Sequence, residues 1–206
     1  MKKFFKPYLI AILLFSILSV TILSIYRASV INNLENKKRI VDSSWLNIFI
    51  NCSKRIVLLE NLNSIVKSKN INVGDLNILM SKYRKYQNIY KSQCTLDFVK
   101  LEYDLNNAYL KIKDALKNDT ICKSTRNNPL YDLEINDEKA NFAIEKYNNQ
   151  VLNYNKYISI FPNFIFAKNH GYVKRKYFNI KYGLKNDDPV IKSKESPDWA
   201  KGMDTL

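Results

Sequence analysis

The chain has 206 residues, a formal net charge of +14 at pH 7, and only four glycines and five prolines. That length accommodates one membrane segment and one domain able to bury a core without metals or disulfides, and so few turn residues exclude a sandwich or barrel of many short strands. Lysine is spread along nearly every segment rather than gathered into a block interleaved with aromatics, so the charge argues against nucleic acid and for solubility and attraction to anionic lipid or polymer.

Residues 1–6 form a basic flank with Lys2, Lys3 and Lys6, and residues 7–26 carry no charge until Arg27 closes the run. At about 1.5 Å per residue this run covers the roughly 30 Å hydrocarbon core, so a transmembrane helix is expected over 7–26. Ser16, Ser19, Thr21 and Ser24 can return their hydroxyls to the helix's own carbonyls, so they do not oppose insertion. A cleaved signal peptide is the competing reading, but the apolar run is long for one and a small-residue site such as Ser19-Val20-Thr21 would fall inside it. Without a cysteine in the segment, a lipoprotein anchor is excluded. Lys37, Lys38 and Arg39 follow the span as well, so the count of flanking charges does not decide orientation. The lysines that abut the span favour an inside N-terminus and a domain outside the cytoplasm.

From Ala28 to about Lys67 the pattern is helical, with Val41, Trp45, Ile48, Cys52, Leu59, Leu62 and Val66 on one stripe and no glycine or proline. Residues 68–74 supply a turn, and Gly74-Asp75 reads as a helix stop followed by an N-cap for a shorter helix to about Ser92. A further helix begins near Thr95 and carries Leu101, Leu105, Tyr109, Ile112 and Leu116 at steps of four and three, to about Asn118. The polar stretch Asp119 to Asn136, with Pro129, is expected to be the longest loop.

The most regular helix is expected from Asp137, where the pair Asp137-Glu138 suits the positive end of the dipole. Its seam is Ala140, Ile144, Tyr147, Val151, Tyr154, Ile158 and Phe161, the spacing of a coiled-coil-like helix packed lengthwise on others. Pro162 stops or kinks it, and Gly171 is expected to end a short following helix in the left-handed conformation. The domain is thus expected over 28–182, with a disordered tail over 183–206, where Asp187-Asp188-Pro189 and Ser196-Pro197 accompany few apolar side chains.

The run Tyr147-Asn148, Val151, Tyr154-Asn155, Phe161-Pro162, Ala167, Gly171-Tyr172 and Tyr177-Phe178 resembles the C-terminal signature of the LemA family. The stretch around Trp45, Arg55, Leu58, Asn61-Leu62 and Val66-Lys67 resembles that family's first soluble helix. The chain departs from the family pattern at Phe49, Glu60 and Ile144, where an acidic residue, a proline and an arginine are common. The resemblance implies an all-α protein, with an N-terminal transmembrane helix followed by a long antiparallel four-helix bundle, held on one side of a bacterial plasma membrane by a single pass. It implies no reaction.

Asn148 and Asn155 lie seven apart beside the seam, and the residues themselves predict that their amides bond a neighbouring helix's backbone and set register. His170, the single histidine, is expected to be a cation complementing a helix C-terminus. Cys52, Cys94 and Cys122 match neither a zinc motif nor a disulfide framework and read as buried thiols, with a Cys52 to Cys94 bridge left open. No nucleophile motif, zincin helix, phosphate loop or dinucleotide fingerprint occurs, so no cofactor is expected, and nothing selects dispersed acids such as Glu60 or Glu102 as a catalytic pair. Lys37-Lys38-Arg39 and Lys174-Arg175-Lys176 are candidates for contact with lipid headgroups, against the alternative of a solvated helix face. The function expected is that of a non-enzymatic interaction or scaffold module of the cell envelope that meets lipid through its N-terminal helix and other envelope proteins through its bundle. Membrane shaping or lipid contact comes second and an undetected hydrolase third.

Overall fold

A computed structural model describes residues 5–67, 74–116 and 128–195. Six helices occur among them: α1 (Phe5–Lys67), α2 (Gly74–Ser92), α3 (Leu96–Leu116), α4 (Pro129–Ser159), α5 (Asn163–Asn169) and α6 (Pro189–Glu195). No strand occurs among the described residues. Trp45, Ser53 and Asn63 of α1 meet Tyr90, Tyr83 and Asn77 of α2 in reverse order, so α2 descends beside α1. Trp45 packs on Phe98 while Arg55 reaches Asn106, so α3 ascends. Arg55 meets Asp137 and Trp45 meets Tyr147, so α4 descends. The result is the antiparallel four-helix bundle.

The expected span and first bundle helix are one uninterrupted helix of 63 residues, about 95 Å long at the ordinary helical rise. Between Tyr8 and Lys67 it contains neither glycine nor proline, so nothing in the backbone marks a hinge. Its residues 8–26 are exposed, and burial begins at Val30 and Leu34. Ser16, Ser19, Thr21 and Ser24 each donate to a carbonyl three or four residues back, as expected.

The α1 stripe from Val41 to Val66 and the α3 stripe from Leu101 to Leu116 are buried. Near the Val41 end of the first stripe Trp45 donates Nε1–H to the Tyr90 carbonyl at 3.0 Å, and its ring meets Phe98, Tyr147 and Phe178. One side chain therefore ties α1 to α2, α3, α4 and the chain beyond α5. The α4 seam is buried from Ala140 to Ile158, but Phe161 is 73% exposed because α4 has already ended at Ser159.

Two boundaries differ from the sequence expectation. α4 begins at Pro129, eight residues before Asp137: the Asn128 side chain accepts from Leu130 N–H at 3.0 Å and Pro129 takes the first turn. That is a helix start, since proline lacks only a donor that the first turn does not use. Residues 119–127 of the expected loop, with Cys122, lie outside the described residues, as do 117–118, 68–73 and 196–206. At the other end, residues 183–192, expected to open a tail, are seated on the bundle: Asp188 pairs with Lys100 of α3 at 3.0 Å and caps the first turn of α6 through Val190 N–H.

Candidate functional site

Between α5 and α6 the chain climbs back along α4 without regular secondary structure over residues 172–181. Three α4 asparagines hold it, each by two bonds to one residue. Asn155 donates to Arg175 O at 2.9 Å and accepts from Arg175 N–H at 2.8 Å. Asn148 does the same with Phe178 at 2.8 and 2.9 Å, and Asn141 with Tyr182 at 3.1 and 2.9 Å. From Asn141 to Asn155 the helix rises about 21 Å, and the chain from Arg175 to Tyr182 covers that distance at about 3 Å per residue, the rise of extended chain. Each carboxamide thus stands in for a peptide group, and the three together replace the strand that an extended segment otherwise needs beside it. Asn148 and Asn155 bond main chain, but that of an extended segment and not of the neighbouring helix expected. Their seam neighbours serve the same purpose: Tyr147 OH donates to Lys176 O at 2.8 Å, and Phe178 is buried under Trp45 while Tyr177 faces outward.

The segment ends over a buried polar cluster. Arg55 donates Nε–H to Asp137 at 2.7 Å and Nη2–H to Asn106 at 3.2 Å, and its guanidinium lies 4.5 Å from the Tyr182 ring centroid and 5.2 Å from that of Tyr109. Tyr182 OH donates to Glu102 at 2.9 Å and lies 3.1 Å from Cys52 Sγ. Asn106 also accepts from Gly183 N–H and donates to Leu184 O, so α3 grips the end of the segment. Burial lowers the Arg55 pKa, but Asp137, Tyr182 and Glu102 outweigh it and the net direction is up, so the guanidinium stays charged. Burial pushes the Asp137 carboxyl up, and Arg55 offsets part of that rise. Burial also drives Glu102 up to about 7, against the opposing pull of Arg55 and Tyr182. Arg55 Nη1, Asp137 Oδ2, Glu102 Oε1, Tyr109 OH and Asn136 Oδ1 are buried there with no hydrogen-bond partner among the described residues. Cys52 and Cys94 are free thiols, and burial raises the pKa of both. Their levels along α1 explain why no bridge joins them, since Cys94 lines a cleft with Asp42 and Trp45 while Cys52 sits about two turns higher.

That cleft, of about 180 Å³, lies between α1, the α2–α3 turn and the extended segment, and Lys174, Arg175 and Lys176 line one wall. Arg175 pairs with Asp42 at 2.7 Å, one turn from Arg39, so the two basic clusters are neighbours. Lys37 lies over the Tyr157 ring at 5.4 Å, Arg39 bonds Asn36, and Lys38 is exposed. Cys94 is not an activated nucleophile in this cleft, because burial holds its thiol up at about 12 despite the lowering effect of Lys176. Among the described residues no three His, Cys, Asp or Glu side chains converge as a metal site.

The family model described as the LemA family matches residues 44–192. The chain belongs to the LemA family. No curated protein and no solved structure matches it. The LemA match opens one residue before Trp45 and closes within α6, so it takes in the asparagine-held segment, the Arg55 cluster and the first residues after Gly183, and leaves out the apolar half of α1.

Several members of the LemA-like pattern take unexpected places. Asn61 is exposed, and the buried asparagine of that turn is Asn63, bonded to Asn77 at 2.7 Å. Phe49 stacks on Tyr83 and Ile144 is buried, so the two departures from the usual polar residues are apolar core here. Glu60 pairs with Arg84 at the surface, far in environment from buried Glu102. His170 accepts from Arg27 through Nε2 at 3.2 Å and donates from Nδ1 to Phe166 O at 2.9 Å, since arginine only donates and a carbonyl only accepts. The ring stands at the C-terminal end of α5. The sequence reading missed Asn141 and the partners of Arg55, although signals existed: Asn141 continues the seven-residue spacing of Asn148 and Asn155, and Arg55 and Glu102 are charges placed on apolar stripes.

Proposed function

We propose that this LemA-family chain is a non-enzymatic interaction module anchored in the bacterial plasma membrane. In this reading α1 crosses the bilayer once and carries the bundle rigidly, and the bundle surface receives other envelope proteins on the extracytoplasmic side. One observation carries the reading: α1 passes from lipid-compatible surface to bundle core as a single helix, without glycine, proline or a break between Tyr8 and Lys67. A helix of that kind transmits position and orientation, which a tethered scaffold needs and a free enzyme does not. The polar groups that are gathered most closely face inward around Arg55, where they join four parts of the chain and offer no accessible nucleophile.

Headgroup contact through Lys37, Lys38, Arg39, Lys174, Arg175 and Lys176 has less support. Lys37 lies ten residues beyond Arg27, about 15 Å of helix, whereas charge attraction fades over a screening length of about 8–10 Å. The test is site-directed photo-crosslinking from exposed bundle positions such as Ile78 in native membranes. The proposal expects discrete protein adducts that vanish when residues 1–26 are removed, and carbonate-resistant membrane association that vanishes with them. Release of the full chain by carbonate, or adducts indifferent to the anchor, contradicts it.

A further inference from the structure

We infer that the α4–α5 turn is a second membrane contact, a foot that dips into the headgroup and upper acyl region of the leaflet around the end of the span. The inference rests on the anchored reading above and adds a site to it.

Residues 157–167, Tyr-Ile-Ser-Ile-Phe-Pro-Asn-Phe-Ile-Phe-Ala, contain no charge. The turn exposes four large apolar side chains in six residues: Ile160 (57%), Phe161 (73%), Phe164 (47%) and Ile165 (40%). Clustered exposure of this kind marks a surface that meets something other than water. Its height is fixed by contacts with α1. Tyr26 OH donates to Asn163 at 3.0 Å, the Tyr26 and Phe166 rings lie 6.1 Å apart, and Arg27 bonds His170. Leu23 and Ser24 line a cleft with Phe166 and His170. α5 therefore packs on the last apolar turns of the span, where Tyr26 and Arg27 mark the lipid–water boundary.

Packed helices stand about 8–10 Å apart, so the outer face of α5 falls where the first shell of lipid around the span would lie. Phenylalanine and isoleucine suit that depth, and Lys168 and Arg27 sit at its polar rim. A second copy of the chain or another protein is the competing occupant. Lipid is favoured because α5 packs directly on the last turns of the span, which sets the patch beside the exposed apolar residues of that span.

The test places the photoreactive residue benzoylphenylalanine at Ile22, Phe161, Phe164 or Phe142 in the full chain, reconstituted in phosphatidylethanolamine–phosphatidylglycerol vesicles. Ile22 reports the span, and Phe142 is equally exposed but about 28 Å up α4 from Phe161. The expected result is phospholipid adduct at 22, 161 and 164, with at least about tenfold less at 142. Adduct at 22 with none at 161 and 164 overturns the foot and leaves the anchor standing. No adduct at 22 overturns the anchor and the foot together. Protein adduct in place of lipid at 161 and 164 overturns the foot and gives the patch to a partner or a second copy.

Discussion

At the scale of single residues, the carboxamides of Asn141, Asn148 and Asn155 decide where the C-terminal segment lies. Each satisfies a backbone donor and acceptor that have no ladder partner, and leaving such groups buried and unmade costs about 1–3 kcal/mol. Asn148→Leu should keep the helix content while the Phe178 amide loses hydrogen-exchange protection; unchanged protection of that amide would show the segment to be held by packing alone. Glu102 makes stability depend on pH. Folding raises its pKa from 4.5 to about 7, so the folded chain keeps a proton that the unfolded chain releases, and stability present below the lower value is lost as pH rises through the upper one. The melting temperature of the wild type should fall between pH 5 and pH 8. Glu102→Gln, which still accepts from Tyr182, should flatten that dependence and recover on the order of 2 kcal/mol at pH 8. Equal slopes for the two proteins would mean that Glu102 is already ionised in the fold.

At the scale of elements, α4 does the most work, with α1 along one face and the extended segment along another. Val151 is fully buried in its seam, and Val151→Asp should cost at least about 4 kcal/mol, read as failure to fold or a collapse of the melting temperature. Gly171 ends α5 at φ +69° with open space where a Cβ would stand. Gly171→Ala should therefore cost about 1 kcal/mol from backbone strain alone, Gly171→Asn less and Gly171→Val more; equal melting temperatures for all three would remove the strain argument.

Most of these helices were legible in the sequence because the Val41, Leu101 and Ala140 stripes repeat at helical spacing. The start of α4 was not, because Pro129 reads equally as a loop breaker and as a first-turn residue, and only the Asn128 cap distinguishes them. The extended segment was also hidden. Tyr172 to Lys181 pairs with side chains of a helix, so it has no strand partner whose pattern could be matched. Arg55 was visible within a family motif, but its partners come from α3, α4 and the segment, which no local spacing brings together.

At the scale of the whole molecule, one helix joins two environments. Residues 8–22 are exposed, α5 packs on the turn from Leu23 to Arg27, residues from Val30 onward are progressively covered, and the extended segment and α6 lock the upper bundle where the Arg55 cluster lies. The apolar run and the bundle stripe were each readable along the chain, yet their fusion was not, because Arg27 and the hydrophilic residues after it look like a boundary. In the anchored reading proposed above that boundary is one of solvent, and the helix runs through it unbroken. The most direct measurement is the distance between spin labels at Ile22 and Leu46 of the full chain in a lipid nanodisc, with the native cysteines replaced by alanine. A continuous α1 predicts a single narrow distribution near 36 Å, from about 1.5 Å per residue. A broad or multiple distribution, or one centred well below that value, would mean that a joint separates the span from the bundle.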